Sequence, residues 1–160
     1  MRQLLLAVLF ILLVPAGAYP QSHKPNSGRS RAEILWDTWG VPHIFAKDTD
    51  GAARAFGWVQ MQSNGNLLLR QIARARGRGA EYFGKDLRPS DKLQRTMGLY
   101  SLAEKWRGQQ SAEFARYLEG FVTGINEYGR RRFNKLQTEA RAVLPVTSID
   151  IIAQCNSCDL

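Results

Sequence analysis

The residues able to carry chemistry are few and scattered along the 160-residue chain. Cys155 and Cys158 form a C-x-x-C run near the C-terminus, the spacing of a redox pair or of half a zinc site. A redox pair usually opens a helix after a strand, and this one sits close to the end of the sequence. Zinc needs four ligands. Only His23 and His43 are left to complete the set, and His23 falls in a linker-like stretch. The remaining reading is an incidental tail whose thiols oxidise after export. His43 stands alone in an apolar strand pattern with no Ser or Cys partner, which favours a structural histidine over a catalytic one. Asp48 and Asp50 sit where a helix begins and read as caps rather than as an acid–base pair. Gly77-Arg78-Gly79 lacks the further glycine and preceding strand of a phosphate loop, and no G-x-S-x-G elbow occurs. On these grounds no catalytic, cofactor-binding or metal-ligating residue is assigned. Trp36, Trp39, Phe45, Phe56 and Trp58 fit either the lining of an apolar pocket or a core.

Stepping through the positioning elements, Ala32 to Trp36 reads as a strand, with Ile34 and Trp36 on one face and Glu33 and Leu35 on the other. Asp37-Thr38-Trp39-Gly40 reads as a turn. Val41 to Ala46 is a second strand, whose Pro42 demands an edge, a bulge or a strand start. Asp48 to Gly51 signals a helix N-terminus. Ala52, Phe56, Val59 and Met61 keep roughly helical spacing until Ser63-Asn64-Gly65-Asn66, which marks a kink or a junction. A second helix is expected from about Leu67 to Ala80, with Arg70, Arg74 and Arg78 on one face. Helical potential follows Pro89, and a short helix is expected over Leu99 to Trp106. The clearest pattern is Ser111 to Tyr128. There Phe114, Tyr117, Leu118, Phe121, Val122, Ile125 and Tyr128 make one apolar stripe, Gly120 and Gly124 permit a close backbone approach, and Gly129 reads as a stop. Asn134 to Val143 reads as a polar connection. Thr147 and Asp150 have capping-box spacing for a last helix, whose apolar face has little sequence left to pack on.

Composition sets outer limits. Arg2, the apolar run Leu4 to Val14 and Ala16-Gly17-Ala18 read as a secretory signal over 1–18, followed by a polar, flexible leader over 19–31. The apolar run is shorter than the roughly 20 residues a membrane span needs, and no cysteine follows it to carry a lipid. The expectation is a soluble chain, periplasmic or secreted, with no membrane partner after signal removal. The net charge of +8 is spread out, densest at Arg70/Arg74/Arg76/Arg78 and Arg130-Arg131-Arg132. In an exported chain this favours a solvated face, or one docking onto an acidic partner, over nucleic acid.

Several ordered runs then carry a family likeness. ILWDTWGVPHIFAKD, GAARAFGWVQMQ, LLLRQIARARGRGAEYFG, YLEGFVTGINEY and LPVTSIDII together resemble the N-terminal part of the penicillin acylase family. The nearest look is to acylases for long-chain or other hydrophobic acyl groups, including acyl-homoserine-lactone and aculeacin acylases. The resemblance implies an α+β fold, a mostly helical α-subunit portion with an N-terminal β-hairpin that forms part of a four-layer αββα N-terminal-nucleophile hydrolase. It implies an exported precursor cut into a small α and a large β chain. A serine at the start of β is the nucleophile, its own α-amino group is the base, and donors on β hold the oxyanion. The partner implied is that β chain, and the substrate is an amide-linked hydrophobic acyl group. Calcium is possible in a complete enzyme, with no ligand assigned in this chain.

The departures from the family define the rest of the expectation. The Gly-Ser junction and the β chain do not occur here, and Ser63-Asn64 follows Gln62 rather than Gly. The resemblance also expects an acidic residue where Asn66 stands and a histidine where Asn64 or Gly65 stands. The likeness covers 32–152, and 153–160 diverges as a frameshift or premature stop would make it do. The chain therefore reads as an α-chain portion without amidase activity of its own. The rivals are an exported helical binding module that uses the Phe114 to Tyr128 stripe and a small redox protein that uses Cys155 and Cys158.

Overall fold

A computed structural model describes residues 32–157. Signal, leader, His23 and Cys158 lie outside the described residues. Strands β1 (Ala32–Trp36) and β2 (Pro42–Ala46) form an antiparallel hairpin in which Ile34 pairs with Ile44 and Trp36 with Pro42. Pro42 opens its strand, the position where a missing N–H is tolerated. The turn is held by Asp37, whose carboxylate accepts from the N–H groups of Trp39 (2.9 Å) and Val41 (2.8 Å).

Helix α1 (Thr49–Ala75) starts at Asp48, whose Oδ1 accepts from the N–H of Gly51 at 2.7 Å. This is the expected cap. The expected interruption is a kink inside one helix, at Asn64 (φ −139°, ψ 30°). The helix ends earlier than its pattern implies. Gly77 turns left-handed (φ +65°), so Arg78 leaves the Arg70–Arg74 face and belongs to the next element. After that turn come α2 (Gly79–Phe83), a 3₁₀ turn (Lys85–Leu87), α3 (Arg88–Met97) and α4 (Leu99–Gln109).

Helix α5 (Ala112–Arg131) is capped by Ser111, which accepts from the N–H of Phe114. Leu118, Val122, Ile125 and Tyr128 of the stripe are buried against Met61, Leu69 and Ile72 of α1. The α1–α5 crossing is close because glycines face backbone. A Cβ on Gly124 would meet the carbonyl oxygen of Arg54 and stand 2.8 Å from the N of Trp58, and Gly57 meets the Phe121 carbonyl in the same way. The edge of Trp58 packs on Tyr128, with ring centroids 5.1 Å apart. Three expectations are corrected here. Gly129 does not stop the helix, which runs on to Arg131; it is buried where the Leu144 side chain leaves no room for a Cβ. The stripe is not a free binding surface, because α1 covers its C-terminal two-thirds and only Phe114 at the start is exposed. The stretch 134–143 is not a plain polar connection. A 3₁₀ turn (Phe133–Lys135) and α6 (Thr138–Arg141) bury Leu136, Ala140 and Val143 in the core.

Helix α7 (Ser148–Ser157) follows a cis Leu144–Pro145 peptide. Its apolar face does find partners. Ile151 joins the main core, and Ala153 packs with Ala75 of α1 and Ala103 of α4. No described helix is long and apolar enough to cross a membrane.

Candidate functional site

The charged residues fall into two groups, buried clamps and open surface. Arg76, one of the cations expected on a solvated face, is the centre of the first. Its Nε donates to Asp150 Oδ1 and its Nη2 to Asp150 Oδ2, both at 2.7 Å. Nη1 donates to the carbonyl of Val143 at 2.7 Å, and Nη2 also reaches that of Pro145 at 2.8 Å. Asp150 is fully buried. It also accepts from Tyr100 Oη at 3.0 Å and from the Thr147 N–H and Oγ1 at 2.7 and 2.9 Å. The Thr147–Asp150 capping box is therefore present, and the same carboxylate is the counter-ion of a guanidinium 74 positions earlier. Burial pushes the Asp150 carboxyl up. The hydrogen bonds from Arg76 and Thr147 with the Arg76 charge outweigh it and hold the group below its ordinary range.

Two further clamps share this logic. Glu127, buried on α5, takes Arg54 of α1 and, at 2.6 Å, Arg131 one turn on. Burial raises its carboxyl, the Arg54 hydrogen bond and the arginine charges lower it, and the balance lies below the usual value. Asn126 closes the loop before α7 from both sides, donating to the Val146 carbonyl and accepting its N–H, each at 2.8 Å.

The arrangement nearest to a nucleophile and base is Ser148 with Glu119. Ser148 Oγ donates to Glu119 Oε1 at 2.8 Å and accepts from Arg107 Nε at 2.8 Å. The hydroxyl is buried. The hydrogen bond from Arg107, then that from Ser148, holds the Glu119 carboxyl low. A carboxylate stabilised that way is a poor proton acceptor. The group ties α4, α5 and α7 together.

The open surface begins with the hairpin. Ile34 and Ile44 share its half-buried side, whereas the alternate positions face out, with Leu35 49% and Phe45 57% exposed. Trp39 at the turn is 89% exposed, and Val41 is exposed as well. The aromatic set expected to line a pocket or a core therefore splits: Trp58 packs on the core, Phe56 lies against Phe121 with ring centroids 5.4 Å apart, and Trp36, Trp39 and Phe45 are exposed. His43 is also exposed, 3.3 Å from Asp37, so it is a turn brace rather than a core histidine. Hydrogen bonds from the Val41 N–H and from His43 and the Trp39 N–H hold the Asp37 carboxyl low against a small effect of burial. The sheet has two strands among the described residues, so both outer edges carry unpaired backbone groups.

Other candidates fall apart. Ser63 and Asn64 lie exposed at the kink. Asn66, where the resemblance expects an acid, keeps the acceptor role an acid would have, taking the Gln137 N–H on Oδ1 at 2.9 Å. Cys155 is exposed on α7. Among the described residues no group of three or more His, Cys, Asp or Glu stands ready for a metal ion. Sequence reasoning missed the Arg76–Asp150 clamp. Its signal was the capping box, which placed Asp150 at a helix start but gave no hint of the distant cation.

Comparison with known proteins adds a lineage to this geometry. The penicillin amidase family model matches residues 31–152. Among curated proteins, the acyl-homoserine lactone acylase PvdQ of Pseudomonas syringae pv. syringae is 30% identical over 126 residues, covering 73% of this chain and 16% of that protein. Penicillin acylase 2 proenzyme of Pseudomonas sp. strain SE83 is 33% identical over 94 residues, 58% of this chain and 12% of its own length. Aculeacin-A acylase of Actinoplanes utahensis is 26% identical, with 94% of this chain covered and 22% of that protein. This chain thus spans about a fifth or less of the curated relatives named here. In fold, a chain of thermostable penicillin G acylase from Alcaligenes faecalis superposes with a TM-score of 0.69 at 21% identity, over 81% of this chain and 72% of that one.

Proposed function

This chain belongs to the penicillin amidase family, and from that premise we propose that it is the N-terminal, α-chain portion of an amidohydrolase that cleaves a linear amide bond to a hydrophobic acyl group. In this reading the nucleophilic serine, its base and the oxyanion donors belong to a second, larger chain. The portion described here shapes and supports their site and has no turnover alone. Any calcium ion of the complete enzyme takes its ligands mostly from the larger chain, and none is assigned among the residues of this one. The pattern over 1–18 makes the assembly periplasmic or secreted.

The observation that carries the reading is the unfinished hairpin. A two-stranded sheet is marginal by itself. Ile34-Leu35-Trp36 and Ile44-Phe45-Ala46 are apolar on both sides of the pleat, the pattern of strands covered on both faces. One face leans on α1; the other, with Leu35 and Phe45 opposite His43 and Glu33, is open. The occupant that fits is the remainder of a family polypeptide, whose strands add to an open edge while its side chains cover Leu35 and Phe45.

A chimera tests this. Residues 32–152 replace the matching segment of the PvdQ precursor, and release of fatty acid from an acyl-homoserine lactone is followed. The expected result is a matured, active chimera whose assembly is lost in Leu35→Asp/Phe45→Asp. An assembled and active chimera indifferent to that double substitution overturns the docking role. Amide hydrolysis by the purified chain alone, unaffected by every contaminant control, overturns the division of labour.

A further inference from the structure

A second open feature lies at the opposite end of α1 and is independent of the proposal above. A cavity of about 410 Å³ opens between α2 and α3, within the size range of small-ligand sites. Charged residues supply most of its lining: Arg78, Glu81, Arg88, Asp91, Lys92 and Arg95, together with Thr96. The acids are already engaged. Asp91 is buried and accepts from the N–H groups of Gly79 and Ala80, both at 2.7 Å, which fills the N-terminus of α2. Glu81 is held on both oxygens by Arg78 at 2.6 Å. Arg95 donates its Nε to the Gly77 carbonyl at 2.7 Å, which fixes the side chain at the rim.

Two of the remaining cations are not balanced, whereas the Arg95 charge acts on Glu81. Arg88, Lys92 and Arg95 stand at i, i+4 and i+7, one face of α3, and Arg88 and Lys92 have no acidic partner among the described residues. Like charges one helical turn apart repel, so this face is less stable empty than with an anion between its cations. Arginine offers paired N–H donors suited to carboxylate and phosphate oxygens, and Thr96 adds a hydroxyl. We infer that the α2–α3 cavity binds a small anion bearing several oxygens, a phosphate or a polycarboxylate, between Arg88, Lys92 and Arg95.

The test uses the full purified chain at constant ionic strength set with chloride, because general screening alone alters exposed charges. Inorganic phosphate and citrate are titrated separately, followed by calorimetry and by amide chemical shifts. Saturable binding is expected, with shifts confined to residues 78–96. It weakens at least ten-fold in Arg88→Gln/Lys92→Gln, which alters two exposed side chains and leaves the circular dichroism spectrum unchanged, and it is retained in Lys105→Gln on α4. Binding of phosphate alone, or of citrate alone, assigns the source. Binding of neither, or equal binding by the double variant, overturns the site.

Discussion

Helix α1 joins two regions finished to different degrees. At its C-terminal end Arg76 spends its donors on Asp150, Val143 and Pro145, and the surrounding apolar residues are buried. At its N-terminal end the hairpin leaves Leu35, Phe45 and Trp39 open and both strand edges unpaired. The same chain surrounds a buried carboxylate, Asp150, with five hydrogen bonds in one place and leaves large apolar side chains bare in another. The difference separates a region whose charged and apolar groups are satisfied within the chain from one whose large apolar side chains are left uncovered.

The sharpest way to break the contrast is to damage the finished end. Asp150→Ala leaves Arg76 buried without its counter-ion, and losing one partner of a buried pair costs about 3–5 kcal/mol. Urea unfolding should show that loss, or no cooperative transition at all. Gly124→Ala comes next. Its Cβ meets the Arg54 carbonyl and the Trp58 amide nitrogen, which forces α5 off α1, and about 1–3 kcal/mol is expected from such overpacking, read as a lower unfolding midpoint.

Acid should act on the buried clamps as well. Asp150, Glu127 and Glu119 are held below their ordinary values in the folded chain, so the unfolded chain binds protons first as pH falls. Their contribution is fully present above the unfolded carboxyl range, near pH 4 to 4.5, and drains away as pH drops through the lowered folded values. A urea midpoint that is flat from pH 7 to 5 and falls below pH 4 is expected, with a shallower fall in Asp150→Ala if that variant folds. The smallest effect belongs to the open end. Phe45→Ser changes the stability of the chain alone by no more than about 0.5 kcal/mol, as for surface positions elsewhere, while it lowers binding of a hydrophobic dye. A large loss of stability there would mean that the hairpin is finished after all.

Much of the architecture was legible because its signals are local. The Asp37 turn, the Asp48 and Ser111 caps, the kink at Asn64 and the Thr147–Asp150 box each depend on residues within four positions of one another. Helical spacing also marked Leu118, Val122, Ile125 and Tyr128 as part of an apolar stripe, though only the fold shows that α1 covers it. What escaped depends on distant partners. Arg76 sits in a run of basic residues that looks solvated, and Asp150 lies 74 positions away. Gly129 has the composition of a stop but is needed small because Leu144 packs on it. The hairpin aromatics have the composition of core residues, yet Trp36, Trp39 and Phe45 are exposed, which composition alone does not reveal.

The reach of the Arg76 clamp has a temporal side. A chain leaves the ribosome from its N-terminus, so Arg76 is synthesised 74 residues ahead of Asp150, and Arg54 is synthesised 73 residues ahead of Glu127. Until those carboxylates emerge, the guanidinium groups of Arg54 and Arg76 are without the counter-ions that accompany them in the fold. Loop closures of that length set the pace of folding. The first helix made therefore completes its buried ion pairs only after α5 and α7 have been made.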